Sequence, residues 1–363
     1  MKKLFFAIGG ILVCILLALT VLIISGETDT AVVSGHIRNE SLATIKSDWP
    51  GTPVDQKGRF VNAEFPFLPS PIDLLRWRLG ANRQKEEKAK DPFQLKAVDP
   101  TEFLDGERDG ILWLGHASVL IRLDGKVILI DPVFGDPAFI DRYFPLPSPL
   151  EKIKRVDYVL TTHDHRDHLD EATVRQMARK FPEARFLAGL GSEELLDDWI
   201  GDEKRVMTAG WYQRFALADE SLKITFVPVR HWSRRALFDT NERLWGGYVI
   251  EGAGRTVYHG GDSGYGRHYR ELAETFPDID YFLIGVGSYS PRWIMKPNHN
   301  NPEDAFRAFL DSRARFLVPI HYATFNMTDE PPGEPLRRLL ERAAEADSSD
   351  RVKPLDVYGS LEF

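Results

Sequence analysis

The chain has almost no cysteine. Its 363 residues include one, Cys14, which lies in an apolar N-terminal run. An intramolecular disulfide is therefore impossible. Cysteine-rich zinc sites and a cysteine nucleophile in the rest of the chain are excluded as well. An excess of basic charge is also lacking. There are 46 Lys and Arg against 54 Asp and Glu, a net charge of −8. Proteins that grip nucleic acid through its phosphates carry the opposite balance, so no nucleic-acid partner is expected. No repeat at a solenoid period is present. What remains is ordinary for a globular chain, with 43% hydrophobic and 28% charged residues. That composition rules out wholesale disorder and leaves room for one large domain or two small ones.

The one long hydrophobic run is Leu4–Ile24, preceded by Lys2 and Lys3 and followed by Glu27 and Asp29. Its length is close to the ~20 residues needed to span hydrocarbon as a helix. The flanking charges put the N-terminus in the cytoplasm and the rest outside, which in a bacterium is the periplasm. The expectation is a transmembrane anchor over residues 1–26, with a cleaved signal sequence as the rival. Residues 27–57 read as a polar linker. Residues 58–363 read as a single domain with an N-terminal extension. In that extension Ile72, Leu74, Leu75, Trp77 and Leu79 alternate with Arg76 and Arg78, an apolar-basic element suited to lipid headgroups or to packing on the domain edge.

Beyond residue 110 the pattern is strand-rich, then mixed. Strands are expected at 111–114, 119–123, 127–130, 156–162, 222–229, 247–251, 256–259, 281–286 and 316–320. Helices are expected after Asp170, after Ser192, over 268–276, from Pro302 and over 334–345. Hairpins first and helices interleaved later suggest two sheets with helices on their outer faces.

The ten histidines carry the functional signal through their placement. Four possible ligands, His163, His165, Asp167 and His168, fall within six positions directly after an apolar strand. His231, Asp262 and His321 each follow an apolar strand of their own. Loops at strand ends are where rigid folds expose chemistry. Imidazole with carboxylate, and no thiolate, suits zinc, iron or manganese. One loop with this spacing can serve two metals, and Asp262 is the natural carboxylate to bridge them.

Longer strings accompany these ligands: Trp113-Leu114-Gly115-His116-Ala117, His231-Trp232-Ser233-Arg234-Arg235, Leu244-Trp245-Gly246, Gly261-Asp262-Ser263-Gly264-Tyr265, Pro291-Arg292-Trp293-Ile294-Met295-Lys296 and Ile320-His321-Tyr322-Ala323-Thr324-Phe325. In these strings the chain resembles the metallo-β-lactamase superfamily, and within it the N-acylphosphatidylethanolamine-hydrolysing phospholipases D. The resemblance implies an α/β fold, the αββα sandwich, with two Zn2+ ions. It assigns His163, His165 and His231 to one ion and Asp167, His168 and His321 to the other, with Asp262 between them. It also gives His299 a functional role. Arg166 departs from the pattern, because the animal enzymes carry an aromatic residue there.

The implied activity is a zinc-dependent phosphodiesterase of phospholipase D type, acting on a phospholipid at a bilayer. Asp167, Asp262 and His299 are its catalytic candidates. Two cations sharing one solvent oxygen lower its pKa toward neutrality and take up charge developing on a phosphoryl oxygen. Arg292, Lys296, Arg234 and Arg235 are candidate headgroup anchors or surface ion-pair formers, and His116 is a candidate to orient a ligand. The alternative is a dinuclear metal hydrolase of another ester, a lactone or a small phosphoester. A non-catalytic metal-stabilised scaffold is a third reading. An oligomer is possible on this reading, with no state specified.

Overall fold

Apolar strands joined by tight turns build two seven-stranded sheets that face each other. The structure, a computed structural model, describes residues 32–62, 64–65, 70–137, 140–145 and 148–363. In chain order the strands are β1 (Gly35–Ile37), β2 (Ala43–Thr44), β3 (Thr52–Val54), β4 (Gly110–Gly115), β5 (Ser118–Leu123), β6 (Lys126–Ile130), β7 (Tyr158–Leu160), β8 (Arg185–Gly189), β9 (Val206–Ala209), β10 (Gln213–Arg214), β11 (Lys223–Val227), β12 (Gly247–Gly252), β13 (Arg255–His259), β14 (Tyr281–Gly285), β15 (Phe316–Ile320) and β16 (Ser360–Glu362). One sheet runs β16-β4-β5-β6-β7-β8-β9, and the other β15-β14-β13-β12-β11-β10-β2.

The helices are α1 (Pro71–Leu79), α2 (Lys85–Lys90), α3 (Thr101–Asp105), α4 (Glu171–Lys180), α5 (Glu193–Ile200), α6 (His268–Thr275), α7 (Arg292–Met295), α8 (Pro302–Ser312) and α9 (Glu334–Glu345). α4 and α5 pack together and α5 lies against β9. α8 packs on β14 with α6 and α9 beside it. Each sheet thus has its own helical layer, and the αββα sandwich is the observed architecture.

Strand direction positions the site. β6, β7, β8 and β9 pair in parallel, as do β13, β14 and β15. β11 is antiparallel to β12, which is antiparallel to β13, so β11 and β13 point the same way. The carboxyl ends of β6, β7, β11, β13 and β15 then carry Asp131, His163, His231, Asp262 and His321 out of the sheets. Buried aromatic groups tie this edge to the core. Trp113, fully buried, donates from Nε1 to the His116 carbonyl at 2.9 Å. Tyr248 donates from its hydroxyl to the Thr161 carbonyl at 2.7 Å. Buried Tyr and Trp need such partners for their polar tips.

Three expectations are corrected. Among the described residues no helix is long and apolar enough to cross a membrane. The expected sandwich with an N-terminal transmembrane helix is therefore corrected: the described residues form the sandwich, with no membrane-spanning helix among them. The longest described helix, α9, has 12 residues, about 18 Å against a hydrocarbon core of about 30 Å. The run Leu4–Ile24, on which the anchor expectation rested, lies outside the described residues. Residues 32–57 are not a free linker. They hold β1 to β3, β2 pairs with β10, and the Gln213 side chain binds both Asn39 N and Asn39 O. Ser192 precedes α5 without capping it, because its backbone is already helical and its side chain makes no cap bond. The apolar-basic element is a helix, α1, opened by the Ser70 hydroxyl accepting from Asp73 N. The other helix starts hold. Asp170 and Asn301 cap α4 and α8 through their side chains.

Candidate metal centre

The loop after β7 turns at once on itself. His168 N and Leu169 N both donate to the His165 carbonyl, at 3.0 and 2.8 Å. Arg235 Nη1 holds the turn from above by donating to the Asp164 and Leu169 carbonyls, at 3.1 and 2.6 Å. This turn sends His163 and His165 one way and Asp167 and His168 the other. Gly261, at φ +53, brings Asp262 in close, and a Cβ there would stand 2.9 Å from Thr162 Cβ.

Two donor groups result. His163 Nε2 and His231 Nε2 lie 2.9 and 3.2 Å from His165 Nδ1. His168 Nε2 and His321 Nε2 lie 3.2 Å apart, and both are within 3.7 Å of Asp167 Oδ2. Asp262 stands between the groups. Its Oδ2 is 4.0 Å from His163, 3.8 Å from His231 and 3.3 Å from His168, and its Oδ1 is 2.9 Å from His321 Nε2. All seven side chains are buried except that of His165, which is half-buried. The structure therefore brings together every residue expected as a ligand.

The fit to cations can be tested on the chain itself. Two donors on one tetrahedral zinc, at about 2.0–2.1 Å from it, stand about 3.3 Å apart. The ring nitrogens here approach that spacing. Asp262 Oδ1 is buried and lies near His321 without hydrogen-bond geometry, an orphan acceptor that a cation would satisfy.

Hydrogen bonds on the far side of the rings fix the tautomers. His168 Nδ1 donates to Asp131 Oδ2 at 2.7 Å. Thr162 Oγ1 gives its proton to the same Asp131 oxygen at 2.6 Å and so accepts from His163 Nδ1 at 3.0 Å. His231 Nδ1 donates to the Asn298 carbonyl at 3.1 Å. Each leaves Nε2 as the nitrogen aimed into the site, the usual outer support of a metal-ligating histidine. His116 Nε2 meets Asp167 Oδ2 at 2.9 Å, the orienting contact expected of it.

The electrostatics are divided. Burial pushes His163 and His231 well below the usual histidine range, and neighbouring imidazoles add to this. Burial works against charge on His168 and His321 too. Even so, Asp262, Asp167 and Asp131 hold His168 well above that range, and Asp262 and Asp167 raise His321 to about 9. Burial would raise Asp167 and Asp262, but the surrounding imidazoles hold both carboxylates well below their usual range. The site carries two carboxylates against two divalent cations' worth of donors, so a filled site keeps a positive surplus.

His299 lies on the open side. Its Nδ1 is 3.7 Å from Asp262 Oδ2, and its side chain is 14% exposed. Burial lowers it to about 4. Arg292, a candidate headgroup anchor, instead donates to the His299 carbonyl at 2.8 Å and pairs with Asp304. Arg235 is likewise committed to the ligand loop, and Arg234 lies over the Trp232 ring. Asp131, Asn298 and Arg243 were not expected in or around the site. Asp131 had a signal, since it follows the apolar strand β6 as Asp262 follows β13.

Residues 126–322 match the family described as the beta-lactamase superfamily domain. An uncharacterized protein of Mycobacterium tuberculosis is 34% identical over 328 residues, covering 86% of this chain and 85% of that protein. An N-acyl-phosphatidylethanolamine-hydrolyzing phospholipase D of Caenorhabditis elegans is 34% identical over 242 residues, covering 63% of this chain and 68% of the relative. A solved metallo hydrolase of the archaeon Ignicoccus hospitalis has the same fold, with a TM-score of 0.54 at 23% identity over 70% of this chain and 98% of its own.

Proposed function

This chain belongs to the beta-lactamase superfamily and is a metal-dependent hydrolase, and on that premise we propose that it is a zinc-dependent phosphodiesterase of phospholipase D type acting on N-acylphosphatidylethanolamine-like phospholipids. The observation that carries the proposal is the pair of donor groups bridged by Asp262, whose charge suits an anionic phosphodiester. The likeness to the nematode phospholipase supports the lipid substrate.

His163, His165 and His231 would hold one zinc, and Asp167, His168 and His321 the other, with Asp262 shared. Zinc bound there would supply positive charge for the phosphoryl oxygens and a water-derived nucleophile near neutral pH. The chain's own residues do the rest. Asp131, Thr162, Asn298 and His116 hold the ligands at fixed angles, so little reorganisation is needed as charge develops. In the reaction a water oxygen bonds to phosphorus and the headgroup alcohol leaves, taking up a proton. His299 is the open imidazole beside Asp262 and is placed to hydrogen-bond that leaving oxygen.

The test is the zinc-loaded full chain in lipid vesicles with N-acylphosphatidylethanolamine, other phospholipids, a lactone and a small phosphodiester. Release of phosphatidic acid with the N-acylethanolamine is expected. Turnover of the lactone or the small phosphodiester alone would replace the proposal with the alternative hydrolase reading.

A further inference from the structure

α1 carries an apolar stripe that faces outward. Ile72, Leu75 and Leu79 are 54%, 43% and 79% exposed. At 100° per residue they fall within an arc of about 60° on the helix. The inner side is taken by half-buried Leu74 and Trp77, and Trp77 Nε1 donates to Asp329 Oδ1 at 3.3 Å. Exposed Arg76 and Arg78 flank the stripe on either side, and exposed Arg83 follows the helix. Asp73 is the one acid of α1. In a chain of net charge −8, this is a local cationic rim around exposed aliphatic side chains.

The stripe continues onto a second element. The Arg76 guanidinium lies 5.4 Å from the ring of Trp293 on α7, itself 53% exposed. Residues of α1 and α7 line a shared surface cleft of about 760 Å³. α7 is also where Arg292 holds the His299 carbonyl. The exposed apolar surface and the open side of the metal centre are therefore joined through one short segment.

We infer that α1 and Trp293 form a docking surface for an anionic phospholipid bilayer. A surface helix with aliphatic residues on one side and arginines at its edges lies in the headgroup region, with its apolar face down and its cations at the phosphates. An exposed aromatic ring beside it belongs at the same level. Docking this way brings the His299 side of the site to the lipid, so a headgroup reaches it without leaving the membrane. The choice of a bilayer over a protein partner rests on the phospholipid reading, whereas the surface itself does not.

The test uses the full chain carrying Cys14→Ser, with a nitroxide at Leu79→Cys or, as control, at Leu340→Cys on α9. Zinc-free protein is mixed with vesicles of phosphatidylcholine alone or of phosphatidylcholine with phosphatidylglycerol. On the anionic vesicles the Leu79 label is expected to become accessible to oxygen and shielded from an aqueous nickel complex, while the Leu340 label stays in water. Arg76→Gln with Arg78→Gln is expected to weaken this docking about thirtyfold. A Leu79 label that stays in water on both vesicles overturns the inference, as does immersion unaffected by the arginine changes. So does a label already immobilised without lipid, which would mean that a second copy or the chain's own N-terminal segment covers the face. Immersion without phosphatidic acid release in the zinc-loaded enzyme leaves the docking surface standing and removes the catalytic reading. Release with Leu79 in water does the reverse.

Discussion

Asp131 Oδ2 stands 2.7 Å from His168 Nδ1, and the opposite nitrogen of that ring stands 3.3 Å from Asp262. The His168 ring is thus strung between a fully buried carboxylate and the one that stands between the two donor groups. Asp131 also accepts from Thr162 N and Thr162 Oγ1, at 2.7 and 2.6 Å, so one carboxylate supports both donor groups. Its backbone sits at φ +45, a conformation that costs a non-glycine residue energy and persists where the surroundings impose it. Asp131→Asn is expected to weaken zinc about ten- to a hundredfold, read by competition with a chromogenic chelator. Unchanged affinity would reduce Asp131 to a folding role.

Asp164 and Arg243 make a second long-range link. Asp164 is buried inside the ligand loop, its Oδ2 3.2 Å from Arg243 Nε, and Arg243 also pairs with Asp239. Burial raises the Asp164 carboxyl to about 6. Arg243→Met leaves that carboxylate uncompensated and is expected to cost about 3–5 kcal/mol of stability, measured by chemical denaturation. Asp164→Asn added to Arg243→Met is expected to recover much of the loss. Simple additivity of the two losses would mean that the pair is not coupled.

His299 touches neither donor group as closely as their members touch each other. His299→Ala is expected to keep the full metal content and to lose about 10²- to 10⁴-fold in kcat, with zinc counted by elemental analysis on the same preparation. A kcat equal to that of the parent chain would remove His299 from the chemistry.

The ligands were legible because each follows an apolar strand, and parallel strands deliver their carboxyl ends to one edge. The sandwich was legible for the same reason, since strand periodicity survives in a single sequence. β15 and α9 fall where their patterns put them. Tertiary partners were not legible. Asn298 and Arg243 act on His231 and Asp164 across 67 and 79 residues, with no local pattern to mark them. The strands of residues 35–54 have two or three residues each, too short for a period, and the Gln213 side chain holds the turn between β1 and β2 at Asn39. α1 read as alternation because outward Leu75 and Leu79 and inward Trp77 are separated in sequence by the flanking Arg76 and Arg78.

On the proposed reading, Asp262 joins two metal-binding groups. Anomalous scattering at the zinc edge, from crystals of the zinc-loaded chain, tests it most directly. Two peaks about 3.5–4 Å apart are predicted on either side of the Asp262 carboxylate, one facing His163, His165 and His231 and the other facing Asp167, His168 and His321. The same crystals of Asp262→Ala should lose at least one peak. No peak among these residues in the parent chain, or two peaks that persist in Asp262→Ala, would contradict the account.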